Sequence, residues 1–272
     1  MDSRAVLVTG ANSGIGLATL LEVAGRGFRA VGTVRSPAKG RAVREAARAR
    51  GLEVSTAILD VTDAEGCRRV ADRVRPWGLV NNAGTSFTGA IEDVDDEQGQ
   101  AALDTMVVAP MRLARLSLPH MRAQEGGRIV NVSSIYGLAT TPLTGWYQGA
   151  KHALEALTDA LRMEVASDGI GVSLVEPGSF DTGIWSEAES EMEGRRGSRY
   201  ETAYRRSLSQ VRMSRPIRGA PERVARVIAT ALTSRSPRAR YLVGADARLF
   251  ALAERVAPTM VSDRVKRLVL GL

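Results

Sequence analysis

The sequence predicts one α/β domain with a doubly wound, Rossmann-type architecture: a parallel sheet of about seven strands with helices on both faces. Three observations carry this. Short β-rich runs alternate with helical patterns, as in chains of βαβ units. The 272 residues, 44% of them hydrophobic and 4% aromatic, can bury one large core. A glycine-rich run closes the first apolar strand, where such folds turn into their first helix.

Taken in order, Ala5–Thr9 reads as the first strand, Phe28–Val34 as the second and Val54–Leu59 as the third. Leu79–Asn81, Arg128–Val132 and Gly171–Val175 follow, with Tyr241–Val243 as a seventh. Between them lie segments whose apolar residues recur three and four apart, the helical period. Right-handed crossovers then put a ligand crevice beyond the C-terminal strand ends. No internal repeat or Pro/Gly/Ser-rich linker divides residues 1–272. The stretch Gly183–Gly219 breaks the alternation before a helix over Glu222–Leu232 and is read as a substrate lid, with Tyr200, Tyr204, Leu208 and Val211 on one packing face. A helical tail, about 246–272, carries the stripes Leu249/Leu252/Ala253/Val256 and Val261/Val265/Leu268 on either side of Pro258. These are expected to dock on the chain's own body or a second subunit. With Arg264, Lys266 and Arg267 opposite, contact with a membrane surface is the less favoured option.

Composition narrows the function. One cysteine, Cys67, and two histidines, His120 and His152, argue against a disulfide scaffold and a metal centre, so no metal is expected. Cys67 reads as a small buried hydrophobe, and each histidine as surface or packing. The chain opens Met1-Asp2-Ser3 and passes directly into a strand, and no stretch approaches the ~20 apolar residues of a membrane span, which points to a cytoplasmic protein. The net charge of +7 invites a nucleic-acid partner, but of 37 basic residues 34 are arginines scattered among acids, without an aromatic platform. No nucleic acid is expected.

The chemistry gathers at strand ends. Thr9-Gly10-Ala11-Asn12-Ser13-Gly14-Ile15-Gly16 joins strand to helix. Its glycines permit a tight turn and close approach of a pyrophosphate, which the unpaired amides and positive end of the helix attract. The spacing is G-x-x-x-G-x-G rather than G-x-G-x-x-G, yet the strand–turn–helix context of a dinucleotide site is present. Where an acid would hold the ribose 2′-hydroxyl of NAD, the second strand ends in Thr33-Val34-Arg35-Ser36. Arg35 suits a 2′-phosphate, so NADP(H) is favoured over NAD(H). Asp60 and Val61, at the end of the third strand, are expected near the adenine. Asn81-Asn82-Ala83-Gly84 ends the fourth strand and Asn131-Val132-Ser133-Ser134 the fifth, and Tyr147-Gln148-Gly149-Ala150-Lys151 follows. A spacing of four sets Tyr147 and Lys151 on one helical face, where an ammonium can lower the phenol's pKa. Ser134 can donate to a substrate oxygen beside it. Trp185, at the lid's entry, is the aromatic most readily placed against substrate.

These motifs, in this order and with Ser134 thirteen residues before Tyr147 and Pro177-Gly178 before Thr182, resemble the short-chain dehydrogenase/reductase family over nearly the whole chain. The resemblance implies Tyr147 as catalytic acid/base, Lys151 as its pKa partner and ribose anchor, and Ser134 as the donor that orients substrate. It also implies a cofactor site over Gly10, Asn12, Ser13, Gly14, Ile15, Gly16, Arg35, Asp60, Val61, Asn82, Ala83, Gly84, Tyr147, Lys151, Pro177, Gly178 and Thr182, with Thr182 near the nicotinamide carboxamide. The lid and the Asp246–Leu249 tail are similar to 17β-hydroxysteroid-dehydrogenase-like members. Pairing through Gln98–Met121 and Gly145–Ala166 into a homo-oligomer, a dimer or tetramer, is implied as well. The expected activity is NADP(H)-dependent interconversion of a secondary alcohol and a ketone on a mainly apolar small molecule.

One position departs from the pattern. Met106 stands where the family generally carries an asparagine that helps bind a water of the proton relay, and a thioether neither donates nor accepts well. The alternative reading is therefore a catalytically weak or silent dinucleotide-binding member acting as a sensor or scaffold.

Overall fold

The computed structural model describes residues 4–272; the expectation drawn from Met1-Asp2-Ser3 falls outside them. The seven strands are β1 (Ala5–Val8), β2 (Arg29–Val34), β3 (Ser55–Ile58), β4 (Gly78–Asn81), β5 (Gly127–Val132), β6 (Ile170–Pro177) and β7 (Arg240–Val243). They form one wholly parallel sheet in the order β3-β2-β1-β4-β5-β6-β7. The order reverses between β1 and β4, which opens a crevice at their C-terminal ends.

Side-chain alternation sorts the core into two layers. Leu7, Leu79 and Ile129 point to one face, where α3 (Ala64–Val74), α5 (Ala109–Arg122) and α6 (Gly145–Glu164) supply Val70, Leu113, Met121 and Leu161. Val6, Val8, Val80 and Val130 point to the other, against Leu20 and Val23 of α1 (Gly14–Gly25), Val43 of α2 (Pro37–Arg48) and Ile228 and Leu232 of α9 (Pro221–Thr233). Cys67 belongs to the first layer, with its thiol against the Val61 carbonyl.

Strand ends match the sequence reading to within a residue or two. The largest difference is β6, which runs on to Pro177 because Leu174–Pro177 pair with Arg240–Val243. The helical segment expected over Gln98–Met121 is composite: α4 (Asp96–Leu103), a π-helical turn (Asp104–Val108) and α5. Pro110 explains the turn. It has no N–H for the Met106 carbonyl and its ring would crowd that group, and the backbone widens so that the Ala109 N–H reaches back to Asp104 O.

Residues 183–219 are more regular than expected: α7 (Ile184–Glu193) and α8 (Glu201–Ser214), then a 3₁₀ turn over Arg215–Ile217. Tyr200, Tyr204, Leu208 and Val211 pack with Met192, Leu143 and Ala90, as a body-facing stripe should. The tail forms α10 (Ala245–Val256) and α11 (Thr259–Leu270). Of the two dockings expected for the stripes, on the body or on a second subunit, the first is not met. Leu249 is 71% exposed and Leu252, Val256, Val261, Val265 and Leu268 are also open. What anchors these helices instead is burial of Ala247 and Leu270 and an ion pair from Lys266 to Glu254 at 2.7 Å. No helix among the described residues is long and apolar enough to cross a membrane.

Candidate active site

The turn after β1 is built by close approaches that only glycine allows. Gly10 and Gly14 have φ of 64° and 51°, in the left-handed region. A Cβ at Gly10 would come within 2.9 Å of the Ala83 Cα, and one at Gly16 would overlap the Gly10 carbonyl oxygen and the Asn82 amide. The loop after β4 thus rests directly on the turn. Thr9 locks the two together: its Oγ1 accepts from the N–H groups of Asn82 and Ala83, both at 2.9 Å, while Asn82 Nδ2 donates to Thr9 O at 3.0 Å and Gly10 O at 3.3 Å. Gly14 faces the methyl of Thr182, whose Cγ2 would lie 3.0 Å from a Cβ there. Ser13 is extended and its side chain caps nothing, so α1 begins with unpaired amides around Gly14, Ile15 and Gly16. The Asn12 amide reaches only the neighbouring Ser13 hydroxyl.

Beside this cradle lie Arg35, exposed just past β2, and Asp60, whose carboxylate accepts from the Thr62 N–H and hydroxyl at 3.0 and 2.7 Å. Those bonds, and to a lesser degree the Arg35 charge, hold Asp60 below the usual carboxylate range. Among the described residues the Arg35 guanidinium makes no hydrogen bond or ion pair, which leaves its fork free for an anion. Val61 is buried and offers its carbonyl to Arg112. Gly178 is held close by Asp246, whose carboxylate accepts from Ser179 N–H at 2.6 Å. Pro177 ends β6 immediately before it.

The residues predicted for acid/base work stand across the crevice. Ser134, just beyond β5, accepts from the Tyr136 N–H at 3.2 Å, and the Tyr136 ring meets Tyr147 edge-on at 6.3 Å. Lys151 is buried, donates to Val132 O at 3.0 Å and lies 5.7 Å from the Tyr147 ring centroid. Burial dominates and pushes Tyr147 up to about 12, with the Ser134 hydroxyl pulling the other way. Burial likewise pushes Lys151 down to about 8, opposed by the charge of Glu155. The phenol is therefore a loaded proton donor at neutral pH.

Other expectations sort differently. Asn81 and Asn131 tie β4 to β5 and α6 through a 2.8 Å bond to each other and another from Asn131 to Thr158, so both are structural. Trp185 donates to Phe180 O at 2.7 Å and carries Arg218 4.2 Å above its ring, an arrangement that braces the start of α7. His120 meets Asp72, and His152 meets the Gln148 carbonyl. Met106 is 1% exposed on the π turn, in an apolar cluster with Ala102, Val107 and Ala150, against Phe87, Tyr147 and Ala153.

Glu155, Glu176 and Arg240 escaped sequence reasoning. Glu176 is fully buried at the end of β6, with Glu155 and Arg240 beside it. The available signal was the run Tyr147, Lys151, Glu155, Asp159, four residues apart on one helical face.

A family model described as short chain dehydrogenase matches residues 4–193. The chain is 36% identical over 267 residues, 95% of each protein, to the uncharacterized oxidoreductase YusZ of Bacillus subtilis. Among solved structures, a short-chain dehydrogenase from Streptomyces avermitilis superposes with a TM-score of 0.80 at 31% identity, over 98% of this chain and 96% of that one. L-sorbose reductase from Gluconobacter frateurii, complexed with NADPH and L-sorbose, gives 0.76 at 30% identity, over 89% and 97%.

Proposed function

The chain belongs to the short-chain dehydrogenase/reductase family, and from that premise we propose that it is an NADP(H)-dependent oxidoreductase interconverting a secondary alcohol and a ketone on a mainly apolar small molecule. The observation that carries the reading is the convergence of Ser134, Tyr147 and Lys151 across the crevice from a glycine turn whose amides are unpaired. The cradle fits a dinucleotide. Gly10, Asn12, Ser13, Gly14, Ile15 and Gly16 would receive its pyrophosphate, Arg35 the 2′-phosphate, and Asp60 and Val61 the adenine. Asn82, Ala83, Gly84, Pro177, Gly178 and Thr182 would line the nicotinamide half, with Lys151 and Tyr147 toward its ribose. Bound there, the nicotinamide supplies the two-electron hydride chemistry. Ser134 donates a hydrogen bond to the substrate oxygen, and Tyr147 delivers the proton that completes reduction of the carbonyl. Phe87, in one apolar cluster with Tyr147, and Tyr136, edge-on to the Tyr147 ring, favour an apolar substrate, beneath a lid over 183–219.

The lid is latched. Glu187 accepts from Thr85 and Ser86, Glu191 from Ser86 and Thr88, and the Tyr204 hydroxyl bridges Ala90 N–H and Asp93. Pairing of copies through Gln98–Met121 and Gly145–Ala166, with Leu157 and Met163 exposed on α6, and a cytoplasmic setting complete the proposal. A monomer mass by light scattering at micromolar concentration would remove the pairing. Met106 favours the second reading, a dinucleotide-binding sensor or scaffold with little turnover. The deciding assay follows NADPH absorbance with a panel of ketones: turnover supports the enzyme, and none across the panel supports the sensor. NADPH should also bind more tightly than NADH by roughly 10- to 100-fold, the worth of one charge-assisted contact, and Arg35→Ala should erase most of that gap.

A further inference from the structure

We propose that Glu155 and Glu176 form a positioning pair behind the active site, sharing one proton under the clamp of Arg240 and holding Lys151 in its ammonium form. The inference rests on the proposed role of Tyr147 and Lys151 and concerns what sets their charge. Glu155 lies one helical turn beyond Lys151 on α6, and Glu176 lies on β6, directly before the Pro177-Gly178 turn. Arg240, the first residue of β7, spans three carboxylates: Glu155 at 3.2 Å, Glu176 at 3.2 Å and Asp159 at 2.6 Å. Glu176 is 0% exposed, and neither of its oxygens receives a well-formed hydrogen bond, nor does Glu155 Oε1.

Two buried carboxylates against one shared guanidinium do not both stay ionised at neutral pH, and the economical solution there is one proton between them. Burial and the neighbouring Glu155 charge push Glu176 up to about 8, and burial raises Glu155 as well, so the pair holds one proton between its two carboxyl groups. Replacing such a cluster by apolar residues would cost the fold little, so its presence beside a buried lysine calls for a chemical reason. Ser133 Oγ, next to the substrate-orienting Ser134, is a further buried hydroxyl facing Glu155. Even the backbone leaves room for the group, since a Cβ at Gly137 would come within 2.9 Å of the Glu155 side chain. Among the described residues, the titratable and charged groups facing the pair and its lysine are Tyr147, Lys151 and Asp159 on α6, Tyr136 before it and Arg240 on β7. Lys151 is pushed down by burial, and Glu155 is the group that opposes this. As pH rises through the Glu176 value the pair gains a second negative charge and holds the ammonium more firmly.

The chain contains three lysines, Lys39, Lys151 and Lys266, so protein labelled with [13Cε]lysine gives three resonances, assigned with Lys39→Arg and Lys266→Arg. Glu155→Gln should lower the Lys151 titration midpoint by roughly one to two pH units, and Glu176→Gln by a smaller shift in the same direction. The high-pH limb of ketone reduction should move with it. If Glu155→Gln does not fold, the isosteric Glu176→Gln decides alone. Folded variants whose Lys151 titrates with that of the unmodified protein overturn the proposal. Because the titration needs no turnover, an inactive enzyme would remove the functional reading and leave this test standing.

Discussion

The two walls around Tyr147 are made of opposite materials. On α6, Tyr147, Lys151, Glu155 and Asp159 form a column of ionisable groups backed by Glu176 and Arg240. Facing it, the π turn presents Met106 and Val107 in an apolar cluster that packs against Tyr147. Lys151, Glu155 and Glu176 on one wall and Met106 and Val107 on the other are all buried, so the contrast is not one of solvent access. It teaches that the charge on the acid/base pair is governed from one side, the helix that carries the pair itself. The apolar wall can only exclude water, which strengthens every electrostatic interaction on the other.

The largest effect should come from removing the proton the polar column delivers. Tyr147→Phe deletes one hydroxyl from a ring already packed edge-on against Tyr136. Turnover should fall by about 10²–10⁴-fold, the usual worth of a positioned acid/base, while NADPH affinity stays nearly unchanged because the phenyl ring still fills its place. Fluorescence titration with NADPH beside steady-state assays separates the two, and retention of more than a tenth of the activity would mean another group supplies the proton.

Next in size is the pH dependence. Lys151 has its value pushed down to about 8, so the ammonium is the majority form below pH 8 and is lost above it. Ketone reduction should hold steady up to about pH 8 and then decline, by roughly tenfold for each pH unit beyond, if the ammonium is required. A flat profile from pH 7 to 10 would show that the column's charge does not govern the chemistry.

The polar wall was largely legible in the sequence and its supports were not. Ser134, Tyr147 and Lys151 announce themselves through spacing, as does the glycine turn through its position after a strand. Glu155 and Glu176 belong to the same machinery but occupy ordinary helix and strand positions. Only pairing of β6 with β7 brings Arg240 over them, and no local pattern encodes that non-local contact. The exposed stripes of α10 and α11 fail for a related reason: periodicity identifies an apolar face, not what covers it. Pro110 was visible, yet its consequence, a π turn rather than a plain helix, depends on burial of the flanking turns on both sides.

The smallest effect on turnover should come from the apolar wall. Met106→Asn restores the side chain common at this place in the family, and the naive expectation is a faster enzyme. The surroundings argue otherwise: Ala102, Val107, Ala150, Phe87 and Ala153 offer the new amide no side-chain partner, and the hydroxyl of Tyr147, which packs on the same cluster, is engaged with Ser134. The helix's own carbonyls are largely taken by its backbone N–H groups. The Met106 carbonyl, to which Pro110 has no N–H to give, points along the helix axis rather than toward its own side chain. Burying the amide should therefore cost about 1–3 kcal/mol in urea unfolding. With the charge of Lys151 set from the α6 side, kcat should change by no more than about twofold. A tenfold rise in kcat without loss of stability would mean that a polar group on the π turn limits proton supply after all, and that both walls share the work.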